Sequence, residues 1–139
     1  MQGGLGIGAN LNTWREADFA EAARMVAAYK RIRQTVQRGD LYRLIRPDDP
    51  SGRAATFYVS PDKRQAVLFA FLHSSTKFDR QPAIQVGGLD PEKQYRVTPI
   101  AGASGAEAQT QSGAYWMGHG VDVPMTGDFQ ARGLVFEAQ

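Results

Sequence analysis

From Gly39 onward the chain abandons helical periodicity and continues to its end in short runs of β-branched and aromatic residues separated by turn formers. The runs fall at 41–45, 55–59, 66–73, 83–86, 95–99, 115–117 and 134–137, and each reads as a strand. Between them stand Pro50-Ser51-Gly52, Ser60-Pro61-Asp62-Lys63, Gly87-Gly88-Leu89-Asp90-Pro91 and the stretch 102–105, whose Gly, Pro, Asp and Ser suit turns and positive φ. Gaps this short hold no crossover helix, so strands joined through them run antiparallel. The spacing therefore predicts a mainly β fold, a two-layer antiparallel β-sandwich. Residues 102–113, rich in Gly, Ala, Ser and Gln, read as a loop.

One long amphipathic helix precedes this region. Leu5, Ile7, Ala9 and Leu11 alternate with Gly4, Gly6, Gly8 and Asn10, a period of two that suits a short strand or extended turn within residues 1–12. Thr13-Trp14-Arg15-Glu16 has the form of a capping box, which starts a helix at Trp14. Ala22, Met25, Tyr29, Ile32 and Val36 then recur at helical steps until Gly39 offers a left-handed stop, so the helix is expected over 14–37 or 14–38. At about 1.5 Å per residue it extends roughly 36 Å, more than a small sandwich needs along one side. Its apolar stripe calls for a further partner. Met25, Tyr29 and Ile32 are accordingly expected to mediate self-association, giving a homo-oligomer.

With 139 residues, 42% hydrophobic and 22% charged, the chain suits a single core and is neither disordered nor fibrous. No apolar run reaches the roughly 18 residues of a membrane span, and the amino terminus lacks the basic-then-apolar order of a secretory signal. A soluble, cytoplasmic protein is expected. The sequence has no cysteine, and His73 and His119 do not make a metal site by themselves, so neither metal nor cofactor is expected. Net charge is only +2, yet Arg24, Lys30, Arg31, Arg33, Arg38, Arg43 and Arg46 face the single acid Asp40. Glu16, Asp18 and Glu21 occupy the early helical turns and bases the late ones, which complements the helix dipole. This order reads as a solvated helix, with no nucleic-acid partner.

Chemistry-bearing patterns are sparse. Gly4-Leu5-Gly6-Ile7-Gly8-Ala9 matches a dinucleotide fingerprint in letters, but no strand precedes it and the helix starts well after it. Glycoside cleavage needs two carboxyl groups about 5 to 10 Å apart across the scissile bond. Asp48, Asp49, Asp62, Asp90 and Glu92 all fall in turns, where carboxylates serve backbone or solvent. The densest aromatic cluster is Tyr115-Trp116 with His119, a candidate carbohydrate-binding platform whose ordinary reading is packing or subunit contact.

Gly6-Ile7-Gly8-Ala9-Asn10-Leu11-Asn12, with Trp14 just beyond, resembles the last barrel strand and loop of glycoside hydrolase family 36 α-galactosidases. Tyr29-Lys30-x-Ile32-Arg33-x-x-Val36-Gln37-x-Gly39-Asp40-Leu41-Tyr42-Arg43-Leu44 resembles the end of the final barrel helix and the first strand of that family's C-terminal sandwich. Tyr58-Val59-Ser60, Ala66-Val67-Leu68-Phe69, Gly88-Leu89-Asp90-Pro91, Ser112-Gly113 and Gly127-Asp128 keep the same register. The resemblance implies that residues 1–39 are the remnant of a final β/α unit and 40–139 a C-terminal antiparallel sandwich. It implies a parent enzyme that removes terminal α-galactosyl groups with retention, through two Asp residues on earlier barrel strands. Neither of those segments is in this sequence. Lys77-Phe78-Asp79 mimics the nucleophile motif but falls in an expected sandwich loop, and is read as a decoy. Tyr115-Trp116 departs from the smaller aliphatic residue usual before the position of Met117. The implied role is a non-catalytic accessory and assembly domain that meets a catalytic barrel, or a second copy, through the apolar helix face. The alternative is a stand-alone carbohydrate-binding module that takes galactosides at Tyr115, Trp116 and His119.

Overall fold

The structure is a computed structural model and describes residues 4–74, 81–101 and 108–139. A 3-10 turn at Leu11–Thr13 leads into the long helix α1, Glu16–Arg38. The strands are β1 Asp40–Ile45, β2 Arg53–Val59, β3 Gln65–Leu72, β4 Gln94–Pro99, β5 Gln109–Ser112 and β6 Gln130–Ala138, with a short helix α2, Gly113–His119, between the last two. All strand pairs are antiparallel, in the order β1-β2-β3-β6-β4-β5. Mainly β architecture preceded by one long helix is therefore what the chain adopts.

The helix begins two residues later than the capping pattern suggests. Asn10 accepts the Asn12 N–H at 3.1 Å, and the Thr13 hydroxyl donates to the Asn10 carbonyl at 2.8 Å, so Thr13 is consumed by the 3-10 turn. The cap falls instead at Arg15, whose N–H donates to the Asp18 carboxylate at 2.9 Å. Residues 4–10 form no strand. Gly39 ends α1 in an extended conformation, φ −79° and ψ 165°, not a left-handed one. Glycine is needed there for space, since a Cβ would lie 2.5 Å from the carbonyl oxygens of both Thr35 and Val59.

Five of the seven expected strands are present as β1, β2, β3, β4 and β6. Residues 83–86 make only an isolated bridge, Ile84 to Val121, and 115–117 are helical. The Tyr115-Trp116-Met117 run has strand propensity, but the hydroxyl of Ser112 caps a helix by accepting the Tyr115 N–H at 3.1 Å, and Gly120 at φ 84° closes it. Gly113 at its first residue has no room for a side chain, because a Cβ would collide with the Asp90 carbonyl.

Both faces of the sheet are covered. On one, Ala55, Phe57, Val59, Ala66, Leu68, Ala70, Leu72, Tyr95, Val97 and Phe136 pack beneath an irregular layer carrying Ile84, Val86, Leu89, Trp116, Val121, Val123 and Met125. That layer is fastened by the Ile84–Val121 bridge and by Gln81, whose side chain donates to the Met125 carbonyl at 2.5 Å and accepts its N–H at 3.0 Å. On the other face Tyr58, Val67, Phe69 and Val135 receive Ala28, Tyr29, Ile32 and Val36 of α1, with Leu5 packed alongside. The buried hydroxyl of Thr35 bonds the Gln65 side chain at 2.5 Å and ties the helix to the start of β3.

This placement corrects the expected use of the helical stripe. Tyr29 and Ile32 belong to the chain's own core, with Ile32 fully buried, so neither is free to meet a second copy; Met25 is half-buried. The basic stripe is exposed at all seven bases, as its charge order implies. Arg24 pairs with Glu21 at 2.6 Å and donates to the Ala101 carbonyl, while Arg31 reaches the Ile100 carbonyl at 3.4 Å. Truncating Ile32 to Ala is expected to cost about 2–5 kcal/mol in urea denaturation. Phe19→Ala, on the bare half of the helix, should stay within about 0.5 kcal/mol. Equal effects from the two would mean that α1 is not docked as described.

Candidate functional site

Helix α2 converts neighbours in sequence into a divided surface. Tyr115 and His119, one helical turn apart, stack face to face with centroids 5.1 Å apart and planes 9° from parallel. Trp116, beside Tyr115, is only 4% exposed. Its indole packs edge-on against Phe136 at 5.8 Å, and its N–H donates to the Tyr95 carbonyl at 3.4 Å. The three residues singled out from sequence are thus brought together, but Trp116 anchors the helix to the core while Tyr115, 41% exposed, and His119 face outward. Beside them opens a groove of about 370 Å³, to which Thr98, Gln109 and Asp122 contribute polar side chains.

Tyr95 supports this platform from below. Its ring is fully buried, its hydroxyl donates to the Lys63 carbonyl at 2.7 Å and accepts the Asp90 N–H at 3.1 Å, and its own carbonyl receives the Trp116 indole. One residue thereby holds the β2–β3 turn, the turn before β4, and α2. Burial pushes its phenol above the usual tyrosine value, an effect the Asp90 N–H opposes and the charges of Asp90 and Asp62 reinforce.

The carboxylates read as turn residues behave as such. Asp49 accepts Ser51 N–H at 3.0 Å and Ser51 Oγ at 2.6 Å, and Asp62 accepts Ser60 Oγ at 2.7 Å and Arg64 N–H at 3.1 Å. The serine hydroxyl contributes most in each case, and both acids are shifted below the ordinary aspartate range. Asp18, lowered chiefly by the Arg15 N–H, and Glu21, lowered chiefly by Arg24, shift the same way. A glycosidase's general acid requires the opposite displacement. Asp79 and the Lys77-Phe78-Asp79 motif lie outside the described residues.

Arg53 escaped the sequence reading. It heads β2 almost wholly buried, with Nη1 donating to the Pro82 carbonyl at 2.8 Å and Nε and Nη2 without partners among the described residues. Burial lowers its pKa, and the nearby charge of Asp49 opposes that shift. Its position just before the apolar run of β2 gives no sequence signal of burial.

Residues 53–136 match the glycosyl hydrolase family 36 C-terminal domain. The chain belongs to glycosyl hydrolase family 36. Within it, similarity extends upstream through α1: the chain is 29% identical over 139 residues to α-galactosidase 2 of Hypocrea jecorina, and 30% identical over 139 residues to α-galactosidase C of Emericella nidulans. Each alignment covers 100% of this chain and 17% of the relative, so the chain spans about one sixth of the length of those relatives. Among solved structures, the family 36 α-galactosidase AgaB of Geobacillus stearothermophilus aligns with a TM-score of 0.77 at 26% identity, over 93% of this chain and 17% of that one. The α-galactosidase of Lactobacillus brevis shares the fold, with a TM-score of 0.80 at 22% identity over 94% of this chain and 18% of that one. This chain therefore has the fold and sequence of the family 36 C-terminal domain, an accessory part of much longer enzymes.

The shifted phenol sets a pH dependence. When folding raises a pKa, the stabilisation is complete below the unfolded value, about 10 for tyrosine, and is lost as pH rises through the folded one. Stability measured by urea titration should hold from about pH 8 to about 10 and decline above about 10, and Tyr95→Phe should remove part of that decline. The same substitution should cost about 1–2 kcal/mol at neutral pH by stranding Lys63 O and Asp90 N–H.

Proposed function

We propose that this chain supports and assembles an α-galactosidase-like glycoside hydrolase without itself cleaving the bond. In this reading residues 1–39 are the end of a catalytic barrel, 40–139 are the C-terminal sandwich, and the catalytic carboxylates belong to barrel segments outside this sequence. The observation that carries it is the divided helix. From Ala28 onward α1 is anchored on the sheet, whereas none of residues 16–27 is fully buried and Phe19 is 47% exposed. Trp14 meets Phe19 edge-on at 5.1 Å, and Ile7 and Leu11 are about half exposed nearby in sequence. An exposed apolar arm is what a domain shows when its neighbour is absent.

The barrel is the favoured occupant because the chain aligns with relatives about six times its length through α1 and into the residues before it. A second copy of the chain using the same face is the other occupant. A substrate ending in an α-galactosyl group and a cytoplasmic location complete the proposal; the first rests on the relatives and the second on the sequence's lack of an apolar run long enough to span a membrane.

Incubated with an aryl α-galactoside, the purified chain should release no phenol above background. Hydrolysis that disappears on Asp79→Asn would overturn the non-catalytic reading. In sedimentation velocity the chain should associate as its concentration rises, through the face the barrel would cover, and Phe19→Asp with Leu11→Asp should suppress that. A concentration-independent monomer that both substitutions leave unchanged would remove the assembly role.

A further inference from the structure

We propose that the groove beside α2 binds a neutral sugar ring, with Tyr115 as its stacking face and Asp122, Gln109 and Thr98 as hydroxyl partners. The site is separate from the bare half of α1 and stands independently of the assembly reading.

Size is the first argument. A groove of about 370 Å³ sits at the small end of the roughly 300–1,000 Å³ range of small-ligand sites, which suits one or two sugar rings. Chemistry is the second. Val97, Val121 and Leu134 give an apolar floor, Tyr115 and His119 give ring surfaces, and Thr98, Gln109 and Asp122 give neutral and anionic hydrogen-bonding groups. The side chains of Thr98, Gln109 and Asp122 engage no partner among the described residues. Among the described residues no Lys or Arg lines the groove, which disfavours phosphate or carboxylate ligands. A sugar combines an apolar C–H face with a rim of hydroxyls, and this lining offers both complements.

Preorganisation is the third. Tyr115 is braced by the parallel His119 ring and by the Trp116 ring, perpendicular to it at 5.4 Å, while Trp116 is fixed to Tyr95. The Nδ1 of His119 lies 3.2 Å from the Gly120 carbonyl, so the tautomer that donates there leaves Nε2 free to accept a hydroxyl. The Ser112 cap and the positive φ of Gly120 set both ends of the helix that carries these rings. Rings held in place before binding lose little conformational freedom on it. A quaternary ammonium is the competing ligand for rings near a carboxylate. Here the two outward rings stack on each other and form no cage, which favours the sugar.

The test is a ¹H–¹⁵N titration of the chain with methyl α-galactoside and, separately, with choline. Methyl α-galactoside should produce saturable shifts at the amides of Tyr115, His119, Gly120 and Val121 and at the Trp116 indole N–H, with a Kd in the millimolar range. Tyr115→Ala should weaken binding about tenfold, and Asp122→Asn should weaken it too, with the rest of the spectrum unchanged. No saturable shift up to ~50 mM sugar would overturn the proposal. So would shifts that Tyr115→Ala leaves intact, or choline binding in place of the galactoside. Loss of association by the helix variants leaves these shifts untouched, so the two proposals fail separately.

Discussion

Val67 and Phe69 on one face of β3, and Ala66, Leu68, Ala70 and Leu72 on the other, are buried by two different layers, and each layer has meaning only because the strand is apolar on both sides. The antiparallel pairs of β2 and β6 flank β3 and continue both faces, through Tyr58 and Val135 toward α1 and through Phe57 and Phe136 toward the irregular layer. Antiparallel strands often leave one face to water and alternate accordingly. Here the near-continuous run from Ala66 to Ala70 is the signature of a strand with no wet face. If α1 were lifted away, Val67, Phe69 and Val135 would lose their cover together. The helix is therefore part of this domain's core, whatever else it touches.

That double burial explains which parts of the fold were legible in the sequence. The five principal strands are bounded by residues with strong local preferences, and tertiary packing agrees with them. The stripe Ala22-Met25-Tyr29-Ile32-Val36 likewise gives the helix and its buried side. It cannot say that the partner of Tyr29 and Ile32 is a sheet made from the same chain, because periodicity names a face and not what covers it. Thr13 and Glu16 have the letters of a capping box, but the hydroxyl of Thr13 is taken by Asn10 and the cap moves to Arg15. Gly39 reads as a left-handed stop and serves instead as the point where α1 and β2 backbones come close. In both cases the residue is right and its physical use differs, since a hydroxyl or a missing Cβ satisfies several geometries.

At the candidate site the same limit applies in reverse. Tyr115, Trp116 and His119 stand out in the sequence as its densest aromatic cluster, and an alternating strand would separate the first two onto opposite faces. A helical turn instead leaves their rings in perpendicular contact, one buried and one exposed, and adds a relation no strand supplies: Tyr115 and His119 meet as a stacked pair. Contributions from Thr98, Gln109 and Asp122 come from β4, β5 and the segment after α2, distant in sequence and ordinary as residue types. Arg53 is the opposite kind of omission. A lone base at the head of a strand reads as solvated, and only the approach of the Pro82 carbonyl and the surrounding layer makes it a buried cation with two donors unused among the described residues.

The bare half of α1 has an energetic advantage that follows from how the other half is held. An isolated helix of about a dozen residues is marginal in water, because nucleation fixes several dihedrals for one hydrogen bond. Residues 16–27 escape that penalty by extending a helix that Ala28, Tyr29, Ile32 and Val36 already fix on the sheet. The Arg15–Asp18 cap at the far end and the Glu21–Arg24 pair, with Arg24 reaching the Ala101 carbonyl, further restrain it. In the assembly proposed above, a partner would meet an ordered apolar face and need not order one, so a larger share of the area buried would appear as affinity. On that proposal, changes at Ile32 would weaken docking through the order of the arm, from within this domain's own core. Changes at Phe19 would weaken docking while leaving that core in place.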